Sequence, residues 1–167
     1  MNVLHRKTGS AGDVLHVESV PIPEIVASVG SPVYVYSRAY FESRYRTLES
    51  AVSDCGTGGR ICYAVKANSN LAVLRLFADL GAGFDIVSAG ELMRVMAAGG
   101  DPGSVVFSGV GKAAEEMDLA LKVGINCFNV ESAAELDRLE SRAALLERPA
   151  RVAFRINPDV DAATHPY

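Results

Sequence analysis

The sequence predicts an α/β protein built from repeated strand–helix units, the pattern of a (β/α)8 TIM-type barrel. Three observations carry this. Short apolar runs begin at Ile61, Gly83, Val105, Asn126 and Arg151, so successive starts lie about 22, 22, 21 and 25 residues apart. That spacing holds one strand, one helix and two short loops. The runs ICYAV, GFDIV, VVFSG, NCFNV and RVAFRI are nearly continuous in apolar residues, as parallel strands covered on both faces are. Helix signals fill the segments between them. Repeated βα units form either an open doubly wound sheet or a closed barrel, and the steady period favours the barrel. Five units are not eight, and a barrel usually takes about 250 residues. The expectation is therefore an incomplete barrel of about five βα units, the N-terminal portion of a longer protein.

Taken in order, residues 1–32 differ from the rest. They hold Gly9, Gly12, Pro21, Pro23, Gly30 and Pro32, and a short alternating piece, Val14-Leu15-His16-Val17, which reads as an edge strand among turns. Pro23 to Val29 reads as a short helix with proline in its first turn and Gly30 at its end. Val33-Tyr34-Val35-Tyr36 is strand-like in its β-branched and aromatic content. Arg38 to Val52 has helical spacing of Tyr40, Phe41, Tyr45, Leu48 and Val52. Further on, Asn70 can cap a helix over Leu71–Leu80 that closes at Gly81. Ser88 with Glu91, and Ser132 with Glu135, fit capping boxes. Gly99-Gly100-Asp101-Pro102-Gly103 reads as a turn, and Gly124 ends a helix that starts near Lys112.

Composition excludes several classes. Of 167 residues, 49% are hydrophobic and 22% charged, with a net charge of -4, so there is enough apolar material for a core and no basic footprint for nucleic acid. Scattered Lys and Arg argue against an anionic membrane surface. No apolar run approaches a membrane span, and Met1–Lys7 lacks the core of a signal peptide. Cys55, Cys62 and Cys127 form no CxxC pair; Cys62 and Cys127 read as buried reduced thiols. No spacing resembles a metal site. The expected compartment is the cytoplasm.

The chemistry centres on Tyr63-Ala64-Val65-Lys66-Ala67-Asn68-Ser69-Asn70. It places one lysine at the C-terminal end of an apolar strand, where chemistry collects in βα-repeat proteins. A lysine partly desolvated there is a usable amine nucleophile, able to form a Schiff base with an aldehyde cofactor. Asp85 falls about one repeat later, so the two side chains could come from adjacent strands on one barrel face. The plainer readings are a solvated strand-end charge for Lys66 and a helix cap or a lysine's ion-pair partner for Asp85. Arg155 could pair with Asp159 or Asp161. Gly109-Val110-Gly111-Lys112 reads as a βα loop, because it lacks full P-loop spacing. His5 and His16 read as surface residues, and Tyr34, Tyr36, Tyr40 and Phe41 as core and helix packing.

YAVKANSNLAVL, GFDIVSAGEL, VVFSGVGK, CFNVES and FRINPDVDAATHPY resemble, in this order and spacing, the diaminopimelate decarboxylases. These belong to the alanine-racemase-like, fold-type III group of pyridoxal-phosphate enzymes. The resemblance implies that Lys66 carries pyridoxal 5'-phosphate, that Asp85 lies near that linkage, and that Arg155 lies near the cofactor ring. His165-Pro166-Tyr167 resembles the start of a mobile loop over the active site. The resemblance further implies that residues 1–36 are an N-terminal segment packing with a C-terminal β domain, and that 37–167 are the first part of the barrel. It implies a homodimer with active sites at the interface and a small amino-acid substrate, meso-2,6-diaminopimelate, decarboxylated to L-lysine. The fragment alone would then be inactive. A related decarboxylase or racemase on the same barrel, and a non-catalytic cofactor carrier, are the competing readings.

Overall fold

A computed structural model describes residues 3–9, 12–56 and 58–160. The chain divides into two compact units, Met1–Gly59 and Arg60–Tyr167.

The first unit begins with an antiparallel hairpin of β1 (Leu4–Gly9) and β2 (Gly12–Val17), with Leu4 opposite Val17 and Gly9 opposite Gly12. A two-residue β3 (Val20–Pro21) pairs back onto β2. The piece expected as an edge strand is thus the central strand of three; the polar run of β1 conceals its partner. His5 and His16 are not surface residues. They face each other in the register and their rings stack at 5.8 Å. His16 is buried, with Nδ1 2.9 Å from the Val14 carbonyl, whereas His5 Nδ1 is buried without a partner among the described residues.

Next come α1 (Ile22–Val29), with proline in its first turn as expected, and α2 (Arg38–Asp54). Glu18 takes a left-handed backbone, φ 52°, which turns its carboxylate onto the start of α2. Glu18 Oε1 accepts from Ser37 Oγ at 2.6 Å and from the Ala39 amide at 2.9 Å. These donors hold the Glu18 carboxyl below its ordinary range. Residues Val33–Tyr36 form no strand. Tyr34 is 89% exposed, and Tyr36 and Tyr40 are also exposed, but Tyr36 stacks on the half-buried Phe41 of α2 at 6.1 Å, so the cluster packs on the helix without entering the core; among the described residues α2 buries only Tyr45.

The second unit is a parallel sheet of β4 (Cys62–Ala64), β5 (Gly83–Ile86), β6 (Val105–Phe107), β7 (Cys127–Val130) and β8 (Val152–Phe154). Between successive strands run α3 (Leu71–Asp79), α4 (Ala89–Ala97), α5 (Ala114–Val123) and α6 (Ala133–Leu146). Strand order follows chain order without reversal. A doubly wound sheet reverses at its switch point, so the winding here is that of a barrel wall, incomplete at five strands.

The core lies between the outer sheet face and the helices. Phe84, Ile86, Val105 and Phe107 on the strands and Leu74, Leu92, Val95 and Met117 on the helices are fully buried. Burying each such side chain is worth about 1.5–3 kcal/mol. The opposite sheet face is only half-buried, as the alternation in β5 and β7 records. Among the described residues the helices cover one face of the sheet, and the apolar inner residues (Ala64, Val106, Ala153) mask a period of two. Gly83 is required by crowding, because a Cβ there would lie 2.6 Å from the Ser104 carbonyl oxygen. Helix starts match the expected caps. Ser88 and Ser132 accept from the Glu91 and Glu135 amides, and Asn70 from Ala72. The glutamates differ slightly from capping boxes: their carboxylates reach one residue further back, to the Val87 and Glu131 amides.

Candidate active site

The candidate site residues collect at the C-terminal ends of the parallel strands. Ala64 opposes Asp85, Asp85 opposes Val106, and Asn129 opposes Ala153. Because strand side chains alternate between faces, the inward positions nearest this end are Asp85, Ser108, Asn129 and Arg155, and Lys66 follows the inward Ala64 by two residues.

Lys66 lies in a 3-10 turn, Val65–Ala67, directly after β4. Val65 is fully buried and anchors the turn. Tyr63 stacks on Phe77 of α3 at 4.1 Å and donates its hydroxyl to the Asn68 carbonyl at 3.2 Å. Asn68 Oδ1 accepts from the Asn70 amide, Asn70 in turn caps α3, and Arg94 donates to the Ser69 carbonyl. The polar residues of YAVKANSN therefore hold the turn, while the lysine makes no hydrogen bond or ion pair among the described residues. Lys66 is exposed among the described residues, at the end of β4, an edge strand of the described sheet.

Asp85 is half-buried on β5 and accepts from Ser108 Oγ at 2.5 Å. Ser108 Oγ also accepts from Asn129 Nδ2 at 3.0 Å. Arg155, just beyond β8, pairs with Glu131 at 3.1 Å, not with Asp159; Asp161 lies outside the described residues. The other Glu131 oxygen accepts from the Gly109 amide at 3.0 Å, so one carboxylate ties three successive βα loops. His165, Pro166 and Tyr167 also lie outside the described residues.

Ser108, Asn129 and Glu131 escape the sequence-based expectation. A signal for two of them is present: Asp85, Ser108 and Asn129 are the polar residues that interrupt three consecutive apolar runs. The Gly109–Lys112 segment is a βα loop, as expected. Its lysine is fully buried and donates to the Gly109 and Asn129 carbonyls and to Glu135, at 2.7, 2.8 and 2.7 Å. Cys62 and Cys127 are free thiols, half-buried rather than buried, and burial pushes both thiols above their ordinary range. Among the described residues no His, Cys, Asp and Glu cluster could hold a metal ion, and no helix is long and apolar enough to cross a membrane.

Residues 38–167 match the family described as pyridoxal-dependent decarboxylase, pyridoxal binding domain, and the chain belongs to this family. Its fold class is the pyridoxal-binding barrel of the alanine-racemase-like group. Over 153 residues the chain is 58% identical to a diaminopimelate decarboxylase of Pseudomonas aeruginosa, covering 92% of this chain and 36% of that protein. It is 56% identical to the diaminopimelate decarboxylase of Vibrio cholerae, with the same coverage. The crystal structure of diaminopimelate decarboxylase from M. jannaschii in co-complex with L-lysine is similar in fold, with a TM-score of 0.88 and 34% identity over 99% of this chain and 38% of that one. The chain spans little more than a third of the length of these relatives.

Proposed function

We propose that this chain forms the cofactor-bearing part of a pyridoxal 5'-phosphate-dependent decarboxylase that converts meso-2,6-diaminopimelate to L-lysine and carbon dioxide. The observation that carries this reading is Lys66: an amine without a protein partner among the described residues, set on a rigid turn at the C-terminal end of β4, the strand whose Ala64 lies opposite Asp85 in the register. The likeness to diaminopimelate decarboxylases supports the substrate.

The residues fit an aldehyde cofactor. Lys66 Nζ would hold it covalently and release it when a substrate amine takes its place. When bound, pyridoxal phosphate supplies an electron-accepting ring that takes up the charge left at the α carbon as carbon dioxide departs. Asp85 keeps Oδ2 free of protein partners among the described residues, so it can accept a proton or a hydrogen bond near the linkage. Arg155, held by Glu131, presents a guanidinium at the rim for an anionic group. Residues 1–36 would pack with a C-terminal β domain and residues 37–167 would form the first part of the barrel. The working enzyme would be a cytoplasmic homodimer with shared active sites.

The test is borohydride trapping of the full-length protein with pyridoxal phosphate, followed by peptide mass mapping. The expected adduct lies on Lys66, and Lys66→Ala loses both the adduct and carbon dioxide release from diaminopimelate. An adduct elsewhere, or none, sinks the cofactor assignment. Release of carbon dioxide from ornithine but not from diaminopimelate would move the substrate to a related decarboxylase.

A further inference from the structure

Asp85 is the terminus of a hydrogen-bond chain running across three consecutive strands. Asn129 Nδ2 donates to Ser108 Oγ at 3.0 Å, and Ser108 Oγ donates to Asp85 Oδ1 at 2.5 Å. Donor counting fixes its direction. A hydroxyl has one proton, and an ionised carboxylate only accepts. Once the Ser108 proton goes to Asp85, its oxygen can only accept, so Asn129 must approach with its amide NH2. All three side chains are half-buried. A carboxylate held only by its own chain rotates broadly about its last torsion; a hydroxyl on one oxygen stops that rotation.

We propose that Ser108 and Asn129 are positioning residues for Asp85: they lock the carboxylate so that Oδ1 is committed and Oδ2 is presented to the cofactor linkage at Lys66. This rests on the function proposed above and adds a part that no single motif residue supplies. Asn129 matters because it is a donor. A carboxylate at position 129 would compete for the one hydroxyl proton and strip Asp85 of its partner.

The test is a double-mutant cycle in the full-length holoenzyme, read by the visible absorbance of the cofactor during titration with pyridoxal phosphate and, separately, by kcat and KM. Ser108→Ala should weaken cofactor binding by about tenfold when Asp85 is present, the worth of one hydrogen bond to a charged group. It should have less than about a twofold effect in an Asp85→Ala background. Ser108→Thr, which keeps the hydroxyl, should recover most of the loss. Asn129→Asp should be at least as damaging as Ser108→Ala, and Asn129→Ala milder. Equal effects of Ser108→Ala in both backgrounds overturn the proposal, as does an Asn129→Asp protein that binds cofactor like the parent. A folded parent protein that develops no cofactor absorbance at all would instead overturn the functional reading first, and the relay's role with it.

Discussion

Replacing Lys112 by methionine isolates the most deeply buried charge in the second unit. The ammonium is fully buried, its partner Glu135 is 7% exposed, and Nζ lies 5.7 Å from the centre of the Phe107 ring. Methionine keeps an unbranched chain one atom shorter and removes one charge and three donors. The Glu135 carboxylate is then left in the interior with one long amide donor, from Glu131 at 3.1 Å, and the Gly109 and Asn129 carbonyls lose their ammonium partner. Removing one member of a buried ion pair costs about 3–5 kcal/mol. We expect Lys112→Met to lose that much in urea unfolding of the full-length protein. Replacing both partners, Lys112→Met with Glu135→Leu, should recover at least about 1 kcal/mol, because no charge then stays buried alone. The recovery stays partial, since two carbonyls still want a donor. A single variant within about 1 kcal/mol of the parent, or a double variant no more stable than the single one, would refute the reasoning.

Other outcomes follow from the same structure. Gly83→Ala sets a Cβ 2.6 Å from the Ser104 carbonyl oxygen and 2.9 Å from Cys62 Sγ; backbone has to shift, and a loss of about 1–3 kcal/mol should appear in chemical unfolding. Glu18 has a lowered carboxyl pKa from Ser37 and Ala39, so its tie to α2 is fully present above the unfolded-state value and lost as pH falls through the lower folded value. The protection factor of the Ala39 amide against hydrogen exchange should therefore fall in acid, and Glu18→Gln should remove that pH dependence. Iodoacetamide at neutral pH should label exposed Cys55 first. Cys62 and Cys127 should lag, because burial raises their thiol pKa values and thins the thiolate.

Much of the local structure is written in the chain. The Ser88, Ser132 and Asn70 caps and the Gly124 helix end depend on contacts within a few residues, so composition and spacing suffice to place them. The repeat length likewise announces parallel strands. Val33–Tyr36 shows the limit of that logic: β-branched and aromatic content favours a strand, yet no strand forms there, since pairing needs a neighbour that propensity cannot supply. The hairpin of β1 and β2 shows the converse, with a polar run recruited by its partner and two histidines brought face to face.

Lys66, Asp85 and Arg155 stand out as candidates in the sequence because motif and strand-end position both mark them. Ser108, Asn129 and Glu131 were not, because their roles depend on which residues lie opposite across the sheet. The register sets Asp85 within reach of Ser108, and Ser108 of Asn129, though they are more than twenty residues apart along the chain. Lys112 reads in one dimension as a loop charge; folding closes three acceptors around its nitrogen. Short-range signals encode where helices and strands begin, whereas burial and cross-strand hydrogen bonds exist only once distant segments are packed together.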